Sequence, residues 1–314
     1  MEQFLQNSVN GIQLGSIYAL IALGYTMVYG VLRLISFAHG DIFMLGAFFG
    51  YYASTKWLHL SERATLAEGL LALAPVLLAA MVGCTVLGLL IERLAYRPLR
   101  RAPRLTALIT AIGVSLFLEN AAQLVFGADP KFYPNVTPQG AQATVRLGGI
   151  TVSKDQMVLV VAASILMAFL WVIVHRTRVG QAMRAVSHDT EAAALMGVDT
   201  DKVISFTFGL GAALAAAGGV LFGALTYAKV LPLMGVQMGL KAFVAAVVGG
   251  IGSIPGAMLG GLMMGLSESF VKGAPRLGAF EPSRWTDAVA FVLLIVVLLV
   301  RPAGLLGRNA PEKV

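Results

Sequence analysis

The sequence predicts an all-α, polytopic membrane protein of eight or nine transmembrane helices, some of them broken or half-spanning. Three observations predict it. Of 314 residues, 58% are apolar and only 12% are charged, about half the charged share of an ordinary soluble chain. The mean hydropathy is +0.81. The apolar residues also gather into long uncharged windows, most of them near the roughly 20 residues that a spanning helix uses. Helices follow because lipid leaves no partner for an unpaired backbone group, and the alternating pattern of a porin-like barrel is absent. Disorder, a collagen, a disulfide scaffold and an ordinary cytosolic enzyme are excluded by the same composition.

The windows run in order along the chain. Ser8–Leu32 is the first. No basic residue precedes Arg33, so this stretch reads as a retained span rather than a secretory signal. Ile42–Thr55 is short and follows His39 and Asp41, which places the start of the second span near Leu34. Leu70–Ile91, Leu105–Leu118 (continuing past Glu119 to Phe126), Met157–Val174 and Val203–Ala228 are the third to sixth. Ala242–Ser267 is uncharged but broken, because Gly249, Gly250, Gly252, Pro255 and Gly256 make poor continuous helix. It reads as two short pieces joined by an unwound segment, the alternative being one kinked span. Ala288–Val300 is the last. All 314 residues read as a single transmembrane domain.

The net charge of +7 sits largely in short loops, where it orients the chain and meets lipid headgroups rather than nucleic acid. The loop Glu92–Arg104 carries Arg93, Arg97, Arg100, Arg101 and Arg104, and its density places it in the cytoplasm. Arg33, the loop His175–Lys202 and the tail with Arg301, Arg308 and Lys313 join it there. The loop Gly127–Gln156 then faces the periplasm. Trp57 and Trp285 mark the outer interface and Trp171 the inner one. Glycines four apart recur, as at Gly11/Gly15 and Gly261/Gly265, and read as close helix packing. The dense run Gly209–Gly223 reads as a helix wedged among others, in a moving bundle or at a subunit interface.

No phosphate-binding loop, nucleophile elbow or metalloprotease helix occurs. One cysteine, Cys84, and four scattered histidines offer no metal site. The chain therefore reads as a transport subunit, channel or carrier, with no catalytic residue and no metal. Few ionisable residues fall within the spans, where they mark pathways. His39 and Asp41 either line a pathway or form a cap and hinge, Asp41 capping Ile42–Thr55 and Gly40 making the break. Glu119 either lines the pathway or bonds between helices, and Glu268 ends a segment. No clear buried pair is legible, which argues against a proton-coupled carrier.

In the loop His175–Lys202, Asp189 or Thr190 is a good N-cap, and Ala192–Met196 is strong helix former. Gly197 is a natural stop. The short helix is either a connector or a docking surface for a soluble partner. Glu191-Ala192-Ala193 with Gly197 resembles the EAA loop of ABC importer permeases, which engages the ATPase subunits. Further runs sharpen the likeness: IQLGSIYALIALGYTMVY from Ile12, ISFAHG from Ile35, IERLAYRP from Ile91, LITAIGVSLFLEN from Leu108, and KAFVAAVVGGIGSIPGAMLGG from Lys241. Together they resemble the LivH-type permeases of branched-chain amino acid ABC importers.

That resemblance implies a multi-pass permease subunit of the bacterial inner membrane, moving leucine, isoleucine and valine. It implies a LivM-type second permease, two cytoplasmic ATPases and a periplasmic binding protein as partners. ATP and magnesium act on the ATPases, and this chain binds no cofactor. Glu191, Ala192, Ala193 and Gly197 become the coupling loop. His39, Asp41, Glu119 and the segment with Gly249, Gly250, Gly252, Pro255 and Gly256 become candidates for the pathway or the permease interface. Related importers for urea, short amides or other amino acids, and a self-contained channel or carrier, are the alternatives.

Overall fold

The computed structural model describes residues 2–32, 36–58, 66–100, 102–134, 144–147, 149–275 and 281–307. Arg33, Leu34, Arg101, Arg308 and Lys313, and part of the loop 127–156, lie outside them. Seven described helices are long and apolar enough to cross a membrane. Five of these are α1 (Glu2–Leu32), α3 (Leu66–Ile91, continued by a π-turn to Tyr96), α4 (Arg104–Phe126), α5 (Lys154–Arg176) and α8 (Thr200–Leu225). The other two are α10 (Ile254–Lys272) and α11 (Thr286–Val300) with its leading turn. Two apolar helices are shorter: α2 (His39–Tyr52), which a π-turn extends to Trp57, and α9 (Met234–Gly249). Two short amphipathic or polar helices, α6 (Arg178–His188) and α7 (Thr190–Leu195), fill most of the segment expected to be a loop with one helix.

Strand was not expected, yet two small antiparallel ribbons are present. β1 (Lys131–Phe132) pairs with β4 (Lys229–Val230), and β2 (Thr144–Leu147) pairs with β3 (Ile150–Ser153). They are two to four residues long and cap one end of the bundle, too short for the hydropathy pattern to register.

α1 and α8 form the centre. Ile17 to Leu23 are fully buried, and so are Ala215, Ala216 and Ala217. Small residues make this possible. A Cβ at Gly265 of α10 would overlap the backbone of Gly15 in α1, and one at Gly219 of α8 would overlap the Phe43 carbonyl in α2. The glycine-rich run of α8 thus packs inside this chain's own bundle, not at a subunit interface. α3, α4, α5 and α11 form the periphery and turn apolar side chains such as Leu78, Leu124, Val161 and Leu299 outward.

Contacts sort the loops into two ends. Arg97 and Arg100 both pair with Asp201, which joins the turn after α3 to the start of α8 beside α6 and α7. The tail lies at this end too, since the amides of Leu305 and Leu306 donate to the carbonyls of Val248 and Gly249 at 2.9 Å. At the other end lie the first turns of α1, where Gln6 bonds Thr151 and Gln3 bonds Gly273, and both ribbons. Trp57 and Trp285 are exposed on that side, and Trp171 is near the opposite end of α5.

The broken stretch is resolved as two helices, α9 and α10, turning back on each other through residues 250–253. The single kinked span is thereby excluded. The turn is not unwound backbone at membrane depth, however. It sits at the bundle end beside the tail and the last turns of α1. The interrupted helices are instead α2 and α9, which both begin inside the bundle. His39 lies against Gly24 and Gly211, well within α1 and α8, and Gly235 of α9 lies against Gly40 and Asp41.

Candidate functional site

Three groups of residues carry the polar chemistry. The first is where α2 and α9 begin. Both helices present their N-terminal turns there, so partial positive charge from two helix ends converges inside the protein. α2 starts at His39 with Ala38 as its cap and no side-chain cap bond. The expected capping role of Asp41 is therefore wrong: it lies inside the first turn, and its carboxylate accepts from the Ser115 hydroxyl of α4. Gly40 is not a break but a contact point, where α9 crosses at Gly235 and Gly239. Glu119 stands one turn beyond Ser115 on α4 and is 8% exposed. His39 points the other way and packs edge-on against Tyr25, 4.8 Å between ring centroids. Its Nε2 and the second oxygen of Asp41 are buried and lack hydrogen-bond partners among the described residues.

The second group was not read from the sequence. Lys241 of α9 reaches Glu268 of α10 at 3.1 Å and Asp287 of α11 at 2.7 Å. Lys272 also pairs with Glu268 at 2.7 Å, and Tyr18 of α1 donates to it at 2.6 Å. This is the buried carboxylate and lysine pair that the sequence did not disclose. The signal available was Lys241 itself, one cation within an otherwise uncharged helix, which needs a counter-ion when desolvated.

The third group is α7. Asp189 caps it, accepting from the amides of Glu191 and Ala192 at 3.0 and 2.9 Å. Gly197 takes φ +83°, and the amides of Gly197 and Val198 return to the carbonyls of Ala194 and Ala193 at 3.0 Å each. The helix is thus closed at both ends within six residues. Ala193 is buried against the bundle, whereas Glu191 and Ala192 are exposed. Leu195 and Met196 stand 88% and 85% exposed, an apolar tip with no cover among the described residues. Behind it Asp199 caps α8 through the Lys202 amide, and the Lys202 ammonium, 2.9 Å from its carboxylate, holds that carboxyl below the ordinary value.

The segment between α9 and α10 is built by the same rules. Ser253 caps α10, accepting from the Gly256 amide at 3.2 Å, and Pro255 occupies the first turn. Gly249 and Gly256 lie against each other, and Gly250 lies against Gly307 of the tail. Of these four, Gly252 alone has open space among the described residues where a Cβ would stand.

The sequence matches the family described as "Branched-chain amino acid transport system / permease component" over residues 7–298. The chain belongs to this family. Among curated permeases of the family, it is 43% identical to the high-affinity branched-chain amino acid transport system permease protein BraD of Pseudomonas aeruginosa, over 99% of this chain and 98% of that one. It is 41% identical, with the same coverage, to the corresponding permease protein LivH of Escherichia coli K12. A more distant relative is the probable branched-chain amino acid transport permease LivH of Methanocaldococcus jannaschii, 28% identical over 93% of this chain. As a permease component of a transport system, this multi-pass membrane protein is not a self-contained carrier, which closes that alternative.

Within the permease, the expected site residues fall into three places. Asp41 of α2 bonds Ser115 of α4, one turn from Glu119 on α4, and His39 lies on the opposite side of α2. Gly249, Gly250, Gly252, Pro255 and Gly256 form the turn at the bundle end. Glu191, Ala192, Ala193 and Gly197 form α7 and its stop, at that same end.

Proposed function

We propose that this chain is one of two membrane-spanning subunits of an ATP-driven importer for leucine, isoleucine and valine in a bacterial inner membrane. The observation that carries the reading is likeness over nearly its whole length to permeases named for high-affinity branched-chain amino acid transport. Its companions are a LivM-type permease, two cytoplasmic ATPases and a periplasmic binding protein. The end bearing α7, the turn after α3 and the tail faces the cytoplasm, as the arginines of 92–104 suggest. The ribbon end faces the binding protein.

In this reading α7 seats in a groove of an ATPase, with its exposed Leu195 and Met196 as the apolar contact. Closure of the ATPases on ATP moves α7. Because α7 is capped tightly and packed through α6 and α8, the displacement passes into α8, which touches α1, α2 and α3. α8 is tightly packed, so it moves as a body rather than deforming. The start of α2 lies against α8 and α1, and the start of α9 lies against α2 and α1; there the polar groups of the pathway would be exposed to one side or the other. The chain itself needs no cofactor, since its partners hydrolyse the nucleotide.

Uptake competition tests the substrate. In cells carrying the complete system, excess isoleucine or valine should suppress leucine uptake, whereas urea and short amides should not. Uptake of urea or an amide in preference to leucine would overturn the assignment.

A further inference from the structure

At the ribbon end, α1, α9, α10 and α11 line a half-open cavity of about 190 Å³. That is below the roughly 300–1,000 Å³ of sites for drug-sized molecules, and suits a ligand the size of one amino acid. Its charged lining is balanced. Lys241 and Lys272 supply two positive charges, and Glu268 and Asp287 two negative ones. Arg284 also borders the cavity but is paired with Glu281 at 2.6 Å. Leu14 and Met238 supply an apolar wall.

A neutral lining with both signs close together selects against a simple anion or cation, each of which would leave a lining charge uncompensated. It matches a ligand that is itself neutral and bipolar. The network also has a fixed half and an opening half. Glu268 is 2% exposed and held by Lys241, Lys272 and Tyr18. Asp287 is 72% exposed and is held among these groups by Lys241 alone. A zwitterion can therefore enter by exchange, its carboxylate replacing Asp287 at Lys241 and its ammonium replacing Lys241 at Asp287.

We propose that this cavity is an entry subsite for a zwitterionic α-amino acid, with the carboxylate on Lys241, the ammonium on Asp287 and the side chain against Leu14 and Met238. The inference rests on the import reading, which turns this end toward the delivering protein.

Thiol protection tests it in the whole complex, reconstituted in nanodiscs of phosphatidylglycerol. Cys84→Ser removes the native thiol, and Ser283→Cys puts one at the cavity rim, where Ser283 is exposed. A small impermeant thiol reagent reports access. Leucine at about twice its dissociation constant should slow labelling about threefold. 4-Methylpentanoate, which lacks the ammonium, and 3-methylbutylamine, which lacks the carboxylate, should not. Asp287→Asn should abolish the protection. Unchanged labelling in a complex that imports leucine overturns the proposal. So does protection by phosphatidylethanolamine in place of leucine, which would make the cavity a headgroup site. Protection by a different amino acid that the complex imports would uphold the subsite and overturn only the branched-chain assignment.

Discussion

Gly197 closes α7 at φ +83°, and nothing among the described residues lies within 4 Å of where its Cβ would be. Space is free, so only the backbone conformation is at stake. A β-branched residue is strained there, at a cost of about 1–2 kcal/mol, while asparagine visits the left-handed region readily. Gly197→Val should therefore distort the docking helix, sparing insertion and pairing with the second permease but losing most ATP-driven uptake. Gly197→Asn should retain it. Uptake assays with co-purification of the ATPases check both, and equal, near-normal transport by the two variants would reduce α7 to a connector. The Asp189 cap and the Gly197 stop were legible because capping is local chemistry. The ion pairs of Lys241 were not, because they form only when three separate helices, α9, α10 and α11, pack together.

The turn between α9 and α10 holds two glycines at positive φ, +106° at Gly250 and +92° at Gly252. An alanine at either costs about 1–3 kcal/mol of backbone strain. At Gly250 it would also overlap Gly307, whereas at Gly252 it meets nothing among the described residues. Gly250→Ala should thus lower the melting temperature of the purified permease more than Gly252→Ala does, by detaching the tail from the turn. Equal losses would mean that the tail contact contributes nothing. The sequence disclosed this break, since four glycines and a proline within eight residues cannot continue a helix. It did not disclose the depth of the break. Nor did it reveal that α2 and α9 start inside the bundle, because an apolar helix start has no distinctive residue when neighbouring helices cover it. At α2 the visible polar residue, Asp41, suggested a cap, yet its partner Ser115 comes from another helix.

Across the whole molecule, α1 and α8 are buried nearly all round while α3, α4, α5 and α11 keep one side outward. Hydropathy alone cannot rank spans this way, since lipid and protein interior are equally apolar to a leucine side chain. A long run of small residues is the better guide, because backbones approach closely only where side chains are small, and ten of the fifteen residues Gly209–Gly223 of α8 are glycine or alanine. The arrangement joins a rigid centre to α7 at one end and to a charged cavity at the other. Its central claim is that this permease moves amino acids only when ATPases drive it through α7. The direct measurement is uptake of labelled leucine into vesicles holding the two permeases and the ATPases, with the binding protein added on the ribbon side. Uptake should require ATP on the α7 side and the binding protein on the other, and should be indifferent to a proton gradient. Leucine uptake that persists without the ATPases, or that a proton gradient alone can drive, would contradict the account.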